Sequence, residues 1–331
     1  MEWKHALLNS HGRRTLGLAA ITIAVFMLSF SDGLVKAMGD RLGLAQIVFV
    51  RSVFAALVLV AVIFIFRTRG GWRRMHSTWA WMRSLCLTGM WLCYYASLPS
   101  LSFALAAACY YTSPVWMALL SRFLLGEPLG VMRWAAVLLS FAGVVVAVNP
   151  TLETLSPFVL LPLLAAFFYA FAAIITWSRC QREEPALLAL NLNVTLAVAG
   201  GAGLVGLTLF ASANPTDSFL LAVWPELAMR DWLLLAGLGL LLALIATMVA
   251  QAYRLAPSPL VGVFDNAYLL FAAMWGLILF GEVPTIREGI GMAMIATGAV
   301  VMAHWTGPSA KLSPKKDGAL PSSCAPSNTL Q

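Results

Sequence analysis

Charge is what this chain has least of: only 11% of its 331 residues are Asp, Glu, Lys or Arg, against about a quarter in soluble domains. A soluble protein of this length would have to cover its surface with the 61% of residues that are apolar, so composition excludes that class and leaves the lipid bilayer as the solvent. Cysteine is equally uninformative as a scaffold. The five cysteines form no CxxC; Cys86, Cys93, Cys109 and Cys180 lie singly in apolar stretches and Cys324 lies near the C-terminal end. Neither a disulfide framework nor a zinc site fits that spacing. The four histidines (His5, His11, His76, His304) stay away from the centres of the apolar runs, and neither an HExxH nor a phosphate-binding P-loop occurs. No cofactor, no metal site and no catalytic residue is therefore expected, nor ATP hydrolysis by the chain itself. A membrane-embedded enzyme is the disfavoured alternative of a different class.

Long apolar runs fill the space that these absences leave. A spanning helix needs about 20 mostly apolar residues, and ten runs qualify, at about 16–38, 44–66, 77–97, 101–123, 131–149, 156–178, 185–211, 232–253, 259–280 and 286–305. The fold class expected is all-α integral membrane, with ten transmembrane helices. The polar start (Lys4, His5, His11, Arg13, Arg14) leads into the first run without a small-residue cleavage site, so a retained helix is expected rather than a cleaved signal. Residues 1–15 read as a cytoplasmic tail and 306–331, rich in Pro, Ser and Lys, as a disordered cytoplasmic tail. The surplus of +7 charge is concentrated on one side. Fifteen of the 21 Lys and Arg fall in the N-terminal tail, the even-numbered loops and the C-terminal tail, and four on the opposite side. That asymmetry places both termini in the cytoplasm of a bacterial inner-membrane protein and gives no reason to expect nucleic-acid binding.

The second half repeats the first at an offset of 155 residues. Leu124-Leu125-Gly126-Glu127 aligns with Leu279-Phe280-Gly281-Glu282, and Gly143-Val144-Val145-Val146 with Gly298-Ala299-Val300-Val301. The repeating unit is five helices, 16–149 and 156–305. Because five is odd, the second copy must insert upside down, an arrangement that transporters use for alternating access.

At these residues the chain resembles the drug/metabolite transporter superfamily, and specifically its ten-helix EamA-type members. Ser31-Asp32-Gly33-Leu34-Val35-Lys36, Phe49-Val50-Arg51-Ser52, Leu124-Leu125-Gly126-Glu127-Pro128 and Phe280-Gly281-Glu282-Val283-Pro284 carry the resemblance. It implies transport of small metabolites such as amino acids, vitamins, S-adenosylmethionine or toxic compounds. It also implies a cavity lined mainly by spans 1, 3, 4, 6, 8 and 9, with spans 5 and 10 peripheral. The chain departs from the family where a Pro-Leu-Ala-Asp-Ala type of run often precedes span 4: here it reads Ser100-Leu101-Ser102-Phe103-Ala104-Leu105.

Few polar side chains fall inside the spans, and a charge at mid-helix costs roughly 2.5–3.5 kcal/mol on insertion scales, so each is a candidate for function. Toward the outer side these are Asp32, Lys36 and Arg51, read either as an ion pair with a snorkelling arginine or as a gate and substrate contact. Toward the inner side, Arg83 and Asp265 with Asn266 are read as an interhelical brace or as one shared aqueous cavity. Tyr110 and Tyr111 near the bilayer centre are expected to line the cavity, because buried hydroxyls need partners. Pro114 is expected to kink span 4, and Asn191 and Asn193 to join helices. Gly201-Ala202-Gly203-Leu204-Val205-Gly206 matches a dinucleotide fingerprint but lies in a span with no strand before it, so it reads as a packing surface. The function expected is secondary active transport of a small polar metabolite, driven by protons, with Asp32 and Asp265 as the intramembrane carboxylates. An uncoupled facilitator or a multidrug exporter is the alternative. The net charge of Asp32, Lys36 and Arg51 points to a substrate with an acidic group, held in a bidentate grip by Arg51. The expected partners are the substrate, the bilayer and protons, with the chain a monomer or homodimer.

Overall fold

The structure is a computed structural model that describes residues 2–65, 77–125, 130–148, 156–180, 183–210, 219–255 and 264–305. The described residues form helices and the turns between them, with no strand among them. In chain order the helices are α1 (Glu2–Met38), α2 (Leu44–Ile65), α3 (Thr78–Ser97), α4 (Phe103–Tyr110), α5 (Ser113–Leu125), α6 (Val131–Val148), α7 (Leu160–Arg179), α8 (Pro185–Phe210), α9 (Met229–Leu255), α10 (Ala267–Phe280) and α11 (Ile286–Trp305). Among the described residues, six segments are long and apolar enough to cross a bilayer: Thr15–Met38, Leu44–Ile65, Phe103–Leu124, Pro157–Thr176, Ala186–Leu209 and Met229–Val249. Trp134–Val148 and Ala267–Phe280 are shorter apolar helices. With no water in hydrocarbon to satisfy the backbone, helix is the conformation such segments must take. The chain is a multi-pass helical membrane protein.

The helices of the two halves interleave. α3 lies along α7 and α1 along α9; α2 packs on α8 and α9, and α1 also on α10. α6 and α11 form a seam of their own. The seam is made by small residues: a Cβ on Gly143 would meet the Gly291 carbonyl oxygen at 2.8 Å, and one on Gly298 the Ala136 carbonyl at 2.9 Å. In lipid there is no hydrophobic drive between helices, so close backbone approach of this kind supplies the adhesion. In the glycine-rich stretch of α8, a Cβ on Gly201 would meet the Phe49 ring at 3.4 Å and one on Gly203 the Ala45 Cβ at 3.4 Å, so its start packs on α2. Gly206 meets nothing within 4 Å.

Two helical stretches are interrupted. Between α4 and α5 the chain makes a turn at Tyr111 and Thr112, where Thr112 Oγ1 donates to the Cys109 carbonyl at 2.7 Å. Pro114 stands just inside α5, where its missing N–H costs least. The expected kink is thus a break. In the last part of the chain Phe264 and Asp265 are helical, Asn266 is a turn, and α10 starts at Ala267. No proline marks that second break.

Candidate functional site

The interrupted helices meet a cavity of about 230 Å³. It draws on Asp32 of α1, Trp91 and Tyr94 of α3, Tyr110, Tyr111 and Ser113 at the α4–α5 break, Tyr169 of α7, Ile245 and Val249 of α9, and Asp265 and Tyr268 beside the second break. Leu192 of α8 adds one apolar contact, and no residue of α6 or α11 contributes among those described. Tyrosine dominates. Tyr110 stands 5.3 Å from Tyr94 and 5.7 Å from Tyr169 between ring centroids, while Tyr111 stacks on Tyr268 at 5.1 Å with 25° between the planes. Of the seven tyrosines in the chain, six (Tyr94, Tyr95, Tyr110, Tyr111, Tyr169, Tyr268) belong to this one group of touching rings.

Asp32 sits at one edge of the cavity and is wholly enclosed. Tyr268 donates to its Oδ2 at 2.6 Å and Tyr95 to its Oδ1 at 3.0 Å. Arg51 donates in turn to the Tyr95 hydroxyl at 2.5 Å, and the Tyr94 and Tyr268 hydroxyls lie 3.1 Å apart. The result is a hydrogen-bonded chain in which a cation and a carboxylate share one phenol. Arg51 is 0% exposed, with its guanidinium 5.3 Å from the Trp91 ring centroid and 5.0 Å from that of Tyr95. Facing aromatic rings offer such a cation a partial substitute for water.

Several sequence expectations give way here. Arg51 neither snorkels to headgroups nor lines the cavity. It is buried against Trp91 and Tyr95 and is not among the residues that line the cavity. Asp32 and Lys36 share a face of α1 but do not pair, because two tyrosines already occupy the carboxylate. Lys36 turns instead to Glu282, Nζ to Oε1 2.5 Å, and also donates to the Leu101 carbonyl at 2.8 Å. Arg83 is not braced to Asp265. Its Nε donates to Thr176 Oγ1 at 2.8 Å, and its Nη1 lies 3.4 Å from the Leu188 carbonyl, tying α3 to α7 and α8. Asn193 bonds within its own helix, to the Ala189 carbonyl, rather than across to another. Tyr110, Tyr111 and Asp265 do line the cavity, and Asn266 occupies the second break.

Glu282, part of the Phe280-Gly281-Glu282-Val283-Pro284 motif, joins the site through contacts that its sequence position does not reveal. Gly281 ends α10 in the left-handed region, φ 66°, where glycine carries no Cβ penalty. Its N–H bonds to the Leu277 carbonyl, and the Glu282 N–H to the Gly276 carbonyl. That turn folds Glu282 back so that its Oε2 accepts from the Phe103 N–H at 2.7 Å, at the N-terminus of α4, while Oε1 holds Lys36. A carboxylate suits that place, where the first helical amides are unpaired and the helix dipole is positive. Ser102, standing in the run that departs from the family pattern, caps Leu105 N and donates to Glu288. The matching Gly126-Glu127 turn lies outside the described residues.

A helical membrane protein with interrupted helices around a cavity lined by tyrosines and two carboxylates is a transporter-like architecture. Residues 15–149 match the EamA-like transporter family. The chain is 28% identical over 198 residues to a riboflavin transporter of Vibrio cholerae, a match covering 59% of this chain and only 60% of that protein. It is 29% identical to a riboflavin transporter of Rhizobium johnstonii over 69% of this chain and 70% of that one. It is 24% identical to the pseudopaline exporter of Pseudomonas aeruginosa over 87% and 96%. A solved crystal structure, 19% identical, superposes with a TM-score of 0.57 over 88% of this chain and 96% of its own, which speaks to the fold alone. The first half of the chain is thus similar to EamA-like transporters, and the chain is similar to proteins named as transporters, in keeping with the superfamily that its motifs resemble. The named relatives are transporters of small molecules rather than enzymes.

Proposed function

We propose that the chain is a secondary transporter of a small polar metabolite, built as two inverted five-helix repeats (16–149 and 156–305) that alternate access to the tyrosine-lined cavity. The observation that carries this reading is the pair of helix breaks. Tyr111 and Asn266 are 155 residues apart, the same offset that relates the Gly-Glu turns, and both breaks open on the cavity. Packing supports it independently. Exchanging the halves maps the α3–α7 contact onto α1–α9 and the α2–α9 contact onto α3–α8. The contact of Gly143 with the Gly291 carbonyl likewise maps onto that of Gly298 with the Ala136 carbonyl. A twofold in the membrane plane produces such pairs. The family match over residues 15–149 covers the first unit.

Lys36, Glu282 and the Phe103 amide join α1 and α4 of the first half to the α10–α11 turn of the second, at the end that the charge distribution places outside the cytoplasm. This contact is the extracytoplasmic latch, closed here. Asp32 is the coupling carboxylate: protonating it would cancel the attraction to Arg51 and loosen the bonds from Tyr95 and Tyr268. Both termini are cytoplasmic, in a bacterial inner membrane. The test is a screen of candidate metabolites, riboflavin and S-adenosylmethionine first, in vesicles of both orientations with and without a proton gradient. Gradient-dependent uptake abolished by Asp32→Asn supports the proposal. Uptake of the same size without a gradient would leave an uncoupled facilitator.

A further inference from the structure

The charge balance of the cavity is incomplete. Asp32 has its counter-ion in Arg51, through Tyr95. Asp265 has none: among the described residues it makes no ion pair or hydrogen bond, and no Lys, Arg or His lines the cavity. Asp265 lines the same cavity as Tyr110, Tyr111 and Tyr169. An unpaired carboxylate inside a membrane is costly and marks a ligand or ion pathway. Stacked rings beside a carboxylate form a site for a cation, since the negative faces of the rings and the fixed charge act in the same direction. Arg51, with Trp91 and Tyr95 ring centroids at 5.3 and 5.0 Å, shows the same chemistry already in use in this protein.

We infer that the cavity selects organic cations, with an ammonium or other onium group of the substrate seated at Asp265 among Tyr110, Tyr111 and Tyr169, and a flat ring stacked along the Tyr111–Tyr268 wall. The cation supplies the counter-ion that Asp265 lacks among the described residues. This rests on the transporter reading only in taking the cavity as the substrate site, so the test measures binding and needs no flux.

The probes are three indoles of one shape and different charge: tryptamine (cation), tryptophol (neutral) and indole-3-acetate (anion). Each is radiolabelled and followed by equilibrium dialysis against the full-length protein in lipid nanodiscs at neutral pH. Tryptamine is expected to bind at least about tenfold tighter than tryptophol, and indole-3-acetate more weakly than both. Asp265→Asn should bring tryptamine to within about twofold of tryptophol while tryptophol binding persists, which also reports that the variant is folded. Equal binding of the three in the wild-type protein, tighter binding of the anion, or no binding of any overturns the inference. So does an Asp265→Asn variant that keeps the tryptamine preference, since a carboxylate serving only as a proton carrier would not set it. Charge-selective binding in a protein that moves nothing across vesicles would uphold this inference and sink the transport proposal instead.

Discussion

One phenol, that of Tyr95, stands between Arg51 and Asp32, accepting from the first and donating to the second. Removing that hydroxyl leaves a fully buried guanidinium with no acceptor among the described residues, and an orphaned buried polar group costs about 1–3 kcal/mol, more when charged. Tyr95→Phe is therefore expected to lower the melting temperature in detergent by several degrees and to cut transport severely, whereas Tyr94→Phe, whose hydroxyl meets only Tyr268 among the described residues, should do less. Equal melting temperatures for the two variants would contradict the tether. At this scale the sequence was legible in kind and misleading in pairing. Intramembrane charges stand out because there are so few, and helical spacing puts Asp32 and Lys36 on one face. Spacing says nothing about partners from other helices, and those partners (Tyr95, Tyr268, Glu282) decided the site. Counting tyrosines, rather than noting only the adjacent Tyr110 and Tyr111, would have been the useful signal.

Among the elements, α6 and α11 make the most stringent contact, because backbone meets backbone across Gly143, Gly291 and Gly298. Gly298→Val is expected to destabilise by about 1–3 kcal/mol through overpacking, while Gly206→Ala, with open space around it, should be neutral or slightly stabilising. Thermal unfolding of the two variants in one detergent tests the difference, and a matched pair of melting points would overturn this account of the seam. Gly281→Ala should cost roughly 1 kcal/mol for the left-handed backbone alone and should also misplace Glu282, so its loss of transport is expected to exceed its loss of stability. The break at Pro114 could be anticipated because proline lacks a donor. The break at Asn266 carries no such mark, and only the 155-residue offset points to it.

For the whole molecule, apolar run length and the scarcity of charge were enough to read a helical membrane protein, because hydrocarbon leaves the backbone no other choice. The distribution of Lys and Arg adds orientation: a reporter fused after Gln331 should be active only if it works in the cytoplasm, and one fused at Pro215 only if it works outside. Matching signals from the two fusions would contradict the ten-span arrangement. The central claim, that the two halves alternately expose one cavity, is tested most directly by thiol accessibility. Ser113→Cys, placed in the cavity wall in a background freed of native cysteines, is treated with a membrane-impermeant maleimide in right-side-out and in inside-out vesicles, with Lys36 intact or changed to Met. Labelling is expected from both faces, with Lys36→Met speeding it severalfold from the extracytoplasmic face and slowing it from the cytoplasmic one. Labelling from a single face, unchanged by Lys36→Met, would contradict it.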